Sequence, residues 1–414
     1  MRVHRDTPRP ERAATERPQP PVAWERARGA ARDLARSVGF PPCRHEPLQD
    51  ALGATLAEDL VAGVAIPFYD TAAMDGYAVA GPAPWTVVGE VPAGAAPTAV
   101  SALQSGQAME IATGAPVPEG TEAVLPYEEA DRDGAHLGGT VRAGRHIRRT
   151  GEDTATGETV LPAGSPVTPA VLGLAASLAH DTLPVLRPRV TALVTGDELI
   201  HSGAPAAGAV RDAIGPVLPG LAGWAGAELS HTHHVADDRA ATVAAFRAAA
   251  EQHSASVIVA CGASSVGRAD HVRAALTELG ATVLVEGVAC RPGHPQLLAH
   301  LGAGEAAGPI VVGLPGNPNA ALAAALTLLV PVLAGLSGRD DPTRATPSRL
   351  PLRGEVAAHP RDTRLVAVAL AGECAYPVGH DRPATLRGAA MADALAVVPP
   401  GWSEGEVELL RLPH

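Results

Sequence analysis

The chain has 414 residues, 46% of them hydrophobic but only 3% aromatic, with a net charge of −12. That length suits roughly three to four domains of ~100–150 residues with Ala, Val and Leu cores, and the acidic balance argues against nucleic acid or an anionic membrane as partner. All 32 basic residues are Arg, so any role needing a flexible ammonium passes to Arg or His.

Residues 1–22 are rich in Arg, Glu and Pro without an apolar stretch, and read as a disordered tail rather than a signal peptide. With every apolar run read as interrupted by Pro, Gly or charge before ~18–20 residues, no membrane span is expected and a cytoplasmic location is. Residues 23–60 carry apolar and charged positions at helical spacing and predict two helices; 166–180 predicts another. Between them, short β-like runs broken by Gly and Pro predict an all-β module over 67–154, inserted into a helical or linker domain of 23–66 and 155–186. Over 187–338, expected strands VTALVT, ELSHTHHV, SVIVAC, TVLVEGV and PIVVGL alternate with helices at 238–252, 269–279 and 318–336. That alternation predicts a doubly wound, mainly parallel sheet. Residues 345–414 predict a small C-terminal β domain. The fold class is therefore multidomain α/β. Cys43, Cys261, Cys290 and Cys374 are scattered without a C-x-x-C pair and support neither a disulfide framework nor a zinc site.

The motifs that carry chemistry fall in loops. In IPFYDTAAMDGYAV (66–79), Asp70 and Asp75 lie between Pro67 and Gly76, where carboxylates suit a hard cation or a phosphate-bearing ligand, or are simply satisfied by local amides. Thr195-Gly-Asp-Glu198 follows an expected strand, so its acids bind a ligand or cap the next helix. Cys261-Gly-Ala-Ser-Ser-Val-Gly267 is either an anion-binding turn at a helix start or a tight Gly turn. In Gly313-Leu-Pro-Gly-Asn-Pro318, Asn317 can cap a helix with Pro318 at its first position while Gly316 bares the backbone. Arg291-Pro-Gly-His-Pro295 is a turn suited to an oxyanion, or a plain surface turn. His231, His233 and His234 alternate on a strand without a partner cluster, and Asp237-Asp238 opens a helix, where capping is the default. Motifs that follow parallel strands directly share one rim of the sheet.

Taken together, AAMDGYAV, EIATGAPVPEGTEAVLPYE, TGED, RPRVTALVTGDEL, SSVGRAD, RPGHP and GLPGNP resemble the molybdopterin molybdenumtransferase family over residues ~24–410. The resemblance implies an α/β domain of molybdopterin-binding type and a homodimer whose cleft lies between one subunit's α/β domain and the partner's β module. It implies adenylylated molybdopterin and molybdate as substrates, Mg²⁺ as cofactor and release of AMP. The molybdopterin adenylyltransferase and apo-molybdoenzymes follow as further partners. It assigns catalysis to Asp70, Asp75, Asp153, Glu198 and Asp270, and metal binding to Asp238 and Glu198. Substrate contacts fall to Thr113, Gly262, Ser265, Gly267, Arg291, His294, Gly316 and Asn317.

The chain departs from the family pattern at the oxyanion set. The usual K-x-x-x-K-P-G-K-P is Gly287-Val-Ala-Cys-Arg291-Pro-Gly-His294-Pro295, the D-S-N is Asp212-Ala213-Ile214, and the serine after GNP is Ala320. Two other readings stay open: a non-catalytic molybdopterin carrier or scaffold, and an α/β domain serving another nucleotide or pterin.

Overall fold

The computed structural model describes residues 20–262, 271–302 and 308–413, so the expected disordered tail lies almost wholly outside it. The chain divides into two compact units, residues 43–185 and residues 1–42 with 186–414.

In the larger unit a six-stranded sheet runs in the order Glu228–Val235, Arg189–Thr195, Val257–Cys261, Ile310–Leu314, Leu297–His300, Thr282–Glu286. The first four are parallel, and the last two close the edge in antiparallel pairing. The inner strands Val257–Cys261 and Ile310–Leu314 are buried throughout, as continuous β-branched runs covered on both faces should be. The expected strand over 282–288 breaks at Gly287, whose φ of +80° only Gly adopts readily. Beyond the break, Val288–Arg291 leaves this sheet and pairs with Thr363–Ala371. The β domain expected over 345–414 therefore extends into a seven-stranded sheet that also takes in Val288–Arg291 and Val22–Ala23.

Helix Pro318–Leu336 corrects the expectation that no apolar run is long enough to cross a membrane. It has 19 residues, and its most apolar 18-residue stretch has a mean hydropathy of 2.0, but 94% of that stretch is buried inside the fold. Its apolar surface is consumed by packing. The helix Trp24–Val38 packs on it, burying Trp24, Ala27, Ala31, Leu34 and Ala35. Trp24 Nε1 donates to Thr327 Oγ1 at 3.1 Å, and the buried Arg28 pairs with Asp341. This helix thus sits in the α/β unit, some 300 residues away in sequence from its packing partner. The second helix expected before residue 60 shortens to Leu48–Ala51. Gly53, at φ +81°, ends it, and Thr55–Leu56 and Leu60–Val61 continue as strands.

The unit 43–185 is built on a second six-stranded sheet in the order Asp131–Asp133, His136–Gly138, Trp85–Val91, Gln107–Ile111, Gly76–Val79, Ala123–Pro126. Helix Pro169–Ser177, capped by Thr168 Oγ1 on the Val171 amide, lies where the spacing places it.

Candidate active site

Three parallel strands end side by side in the larger unit, with Val194 opposite Cys261 and Cys261 opposite Leu314. Each is followed within two residues by a glycine, so the rim is backbone rather than side chain: Gly196, Gly262 and Gly316. Gly262 has φ +87°, and a Cβ there would lie 2.9 Å from both the carbonyl and hydroxyl oxygens of Thr195. Thr195 Oγ1 ties two strand ends together by donating to the Cys261 carbonyl at 2.9 Å. A cleft of about 330 Å³ opens over this rim, at the carboxyl ends where open α/β sheets take their ligands.

Among the described residues the charged groups lining the cleft are Glu198, Arg211, Asp212, Asp237 and His271. Glu198 was expected there; the other four were not singled out as site residues. Asp212 is held by its own loop, its Oδ1 accepting from the amides of Ile214 (2.9 Å) and Gly215 (3.0 Å). Its other oxygen lies 4.0 Å from His201 Nδ1, and the His201 ring faces His234 at 3.5 Å between centroids. Asp197 and Asp237 brace the rim reciprocally, each carboxylate accepting the other's amide at 3.2–3.4 Å.

Asp238 behaves as a cap. Its Oδ1 accepts from the Ala241 amide at 2.8 Å at the start of Arg239–Glu251, and its neighbour Asp237 is the one that lines the cleft. Asn317 precedes Pro318 at a helix start, but its side chain makes no capping bond; its carbonyl accepts from the Ala321 amide at 2.8 Å. Gly316 faces Gly262, its Cβ position 3.8 Å from Gly262 Cα. Ser265, Gly267 and Asp270 lie outside the described residues. The carboxylates of Glu198, Asp212 and Asp237 are oxygen donors of the kind Mg²⁺ takes, one or two per ion, with waters and substrate phosphates completing its shell. Among the described residues no group of three or more His, Cys, Asp or Glu is arranged to hold a metal alone. The donor set fits an ion shared with a substrate rather than a dedicated cage.

In the unit 43–185, Asp70 and Asp75 flank the strand Thr71–Ala72, which pairs with Ile147–Arg148. Gly76 follows because a Cβ there would lie 2.1 Å from the Leu125 carbonyl oxygen, so the chain can enter the buried strand Gly76–Val79 only as Gly. Asp75 Oδ1 accepts from the amide (2.7 Å) and hydroxyl (2.9 Å) of Thr113. These bonds hold the Asp75 carboxyl below its ordinary value. Asp70 accepts from the amide and hydroxyl of Thr150 at 2.8 and 3.0 Å and from Arg149 at 2.6 Å. Burial pushes the Asp70 carboxyl up, but the Thr150 and Arg149 donors outweigh it and the net shift is down. Asp153 pairs with Arg148 at 2.7 Å. The structure thus gathers Asp70, Asp75, Thr113 and Asp153 on neighbouring loops.

The basic turn is placed differently. Arg291 and His294 are absent from the cleft lining. Arg291 ends its strand beside Arg364 and donates through Nε to Asp362 at 2.7 Å, its side chain remaining 59% exposed. His294 is exposed, and Gly293 packs under helix Pro318–Leu336, its Cβ position 3.1 Å from the Ala320 carbonyl oxygen.

Residues 23–179 match the MoeA N-terminal region (domain I and II), and residues 191–335 match a probable molybdopterin binding domain. The chain is 37% identical over 377 residues to molybdopterin molybdenumtransferase 2 of Mycobacterium tuberculosis, covering 85% of this chain and 90% of that protein. Against the molybdopterin molybdenumtransferase of Bacillus subtilis it is 30% identical over 385 residues, 86% of this chain and 85% of the relative. This chain belongs to the molybdopterin molybdenumtransferase family. The molybdopterin biosynthesis moeA protein of Pyrococcus horikoshii shares its fold, with a TM-score of 0.72 at 25% identity over 95% of this chain and 99% of that one.

Set against the molybdenumtransferase pattern, the departures have structural explanations. Ile214, in place of an amide, is 9% exposed and packs with Leu218 and Leu221 in the core. Ala320 is 4% exposed on the core helix. Cys261 is buried, and burial, with Asp212 nearby, pushes its thiol up to about 12, so it offers the cleft no thiolate.

Proposed function

We propose that this chain is a molybdopterin molybdenumtransferase, taking adenylylated molybdopterin and molybdate, forming the molybdenum–dithiolene unit and releasing AMP. The observation that carries the reading is the cleft: bared backbone at Gly262 and Gly316 beside Glu198, Asp212 and Asp237 at the carboxyl ends of parallel strands. Two cation-capable side chains, Arg211 and His271, beside a rim that carries no side chain at Gly262 and Gly316, suit the phosphates of an adenylylated substrate. Glu198, Asp212 and Asp237 are the residues that would hold Mg²⁺, which supplies charge neutralisation at those phosphates when bound. Asp238 is left to its helix.

To the same reaction we assign Asp70, Asp75, Thr113 and Asp153, whose donors keep the two aspartates ionised near neutrality. Asp270, Ser265 and Gly267 are assigned on the family pattern. Molybdate, a tetrahedral dianion, falls to Arg291, which engages Asp362 through one edge of its guanidinium, with His294 on the same turn. We also assign a homodimer, to be checked by light scattering at micromolar concentration, where a monomer would count against it.

The test is AMP release and activation of an apo-molybdoenzyme by purified protein given adenylylated molybdopterin, molybdate and Mg²⁺. Substrate binding without AMP release would favour the second reading, a non-catalytic carrier. That reading draws on the apolar replacements Ile214 and Ala320.

A further inference from the structure

The far end of helix Pro318–Leu336 frames a second cavity, of about 360 Å³, with the carboxyl end of Trp24–Val38. Its walls carry Arg32, Arg36, Arg339 and Arg344 against the carboxylates Asp340 and Asp341, with Phe40 at the edge. Along the core helix this lies roughly 20–25 Å from the cleft, at ~1.5 Å per residue. Cations at helix C-termini ordinarily answer the negative end of the dipole. That accounts for one guanidinium per helix, not four converging in a protein of net charge −12.

The local charges do not cancel. Asp341 is committed to Arg28 Nη2 and to the amide and hydroxyl of Thr343, all buried. Asp33 meets Arg36 only in an exposed pair at 3.5 Å, of little worth. Neither Arg32 nor Arg344 has an ion pair among the described residues. The surplus registers on one buried neighbour. Burial lowers the Arg28 guanidinium, and Arg32 and Arg344 add repulsion against the pull of Asp341 and Glu408.

Phe40 supplies what a simple anion would not need. It is 64% exposed, and its ring lies against Gly338, where a Cβ would come within 3.4 Å of Phe40 Cε1. An aromatic face beside several guanidinium groups matches a planar base joined to phosphate. We propose that this cavity binds a nucleoside phosphate at a site separate from the cleft, with Arg32 and Arg344 on the phosphate and Phe40 against the base.

Isothermal titration of the full chain with AMP, ADP, pyrophosphate and inorganic phosphate tests this. The expected result, with Mg²⁺ withheld, is an ADP or AMP isotherm with a component that weakens at least tenfold in Arg32→Gln/Arg344→Gln and several-fold in Phe40→Ala and that persists in Glu198→Gln, which alters only binding in the cleft. Phe40 and Arg344 are exposed and Arg32 is half-buried without an ion pair among the described residues, so melting temperatures, measured for each variant, should hold, and loss of binding at an unchanged melting temperature is not unfolding. Absence of nucleotide binding by the wild type, or binding untouched by the Arg pair, overturns the proposal. So does binding abolished only by Glu198→Gln, which would place the nucleotide in the cleft. Pyrophosphate binding as tightly as ADP with no effect of Phe40→Ala overturns the assignment of a base.

Discussion

The carboxylates of the unit 43–185 and those of the cleft are held in opposite ways. Asp70, Asp75 and Asp153 each have hydrogen-bond donors from Thr or Arg within their own unit, so their charge is fixed and oriented before any ligand arrives. In the cleft only Asp212 is comparably braced; among the described residues the Glu198 carboxylate has no hydrogen bond or ion pair, and the Asp237 carboxylate accepts only from the amide of Asp197. Preorganised charge favours chemistry, because the reorganisation has been met during folding. Loosely held carboxylates favour a shared cation that arrives with its substrate.

The sharpest way to break that contrast is to neutralise one of the fixed charges. Asp75→Asn keeps an oxygen for the Thr113 donors and removes only the charge. We expect turnover to fall at least ~100-fold, the scale of losing one preorganised electrostatic group, while the melting temperature moves no more than about 2 °C. Asp70→Asn should behave alike. Wild-type turnover in either variant, assayed as AMP release, would show that the orientation of these carboxylates is structural. Glu198→Gln should cost less, about tenfold, and part of that loss should be recovered at high Mg²⁺.

Gly262→Ala tests the bared rim. Its φ of +87° and the 2.9 Å approach to Thr195 leave a methyl group nowhere to go. We expect roughly 1–3 kcal/mol of destabilisation in urea unfolding, with weaker substrate binding. Unchanged stability and affinity would mean that the rim can open, and that the cleft is less rigid than the strand ends suggest.

How much of this was legible follows from which forces act locally. The strands VIVAC and IVVGL are β-branched runs that end at Gly-bearing turns, so pattern alone located them; the acids at 70, 75 and 198 stand within three residues of Pro67, Gly76 and Gly196, which marks them as loop residues. Helix Leu218–Trp224 was missed because LPGLAGW has poor helix formers; burial of Leu218 and Leu221 holds it. The destination of Trp24–Val38 depends on Thr327 and Asp341, far along the chain. Asp237 rather than Asp238 reaches the cleft because Asp238 is drawn to the free amide of Ala241, a competition that adjacent identical residues conceal.

Acid should separate the two units. On the edge strand, His231, His233 and His234 are pushed below free imidazole by burial first and by neighbouring histidines second, His253 stacking on His231 at 4.0 Å. The unfolded chain then binds protons that the folded strand refuses, so stability falls as pH drops through about 6.5. Asp70, Asp75 and Glu110 are depressed carboxyls, so their stabilisation is intact above ~4 and vanishes only as pH falls through their folded values. Hydrogen exchange should therefore show Glu228–Val235 losing protection between pH 7 and 5 while Gly76–Val79 keeps it. His233→Gln/His253→Gln should delay the loss. Simultaneous loss in both strands below pH 4 would sink the assignment.

The smallest effect is expected at the basic turn. Arg291 already gives one guanidinium edge to Asp362, and His294 is exposed, so neither can grip a dianion as tightly as a buried cluster would. Replacing His294 by Lys adds a permanent charge at an exposed site, where such gains are usually under ~1 kcal/mol. We expect molybdate to bind only a few-fold more tightly to His294→Lys by isothermal titration, with the gain shrinking in 0.5 M salt as ~4 Å screening takes hold. Arg291→Gln should weaken binding more, because it also leaves the buried Asp362 without its Arg291 partner beside the anion. If both variants bind molybdate as the wild type does, the oxyanion site lies elsewhere, and Arg211 and His271 in the cleft become the residues to replace.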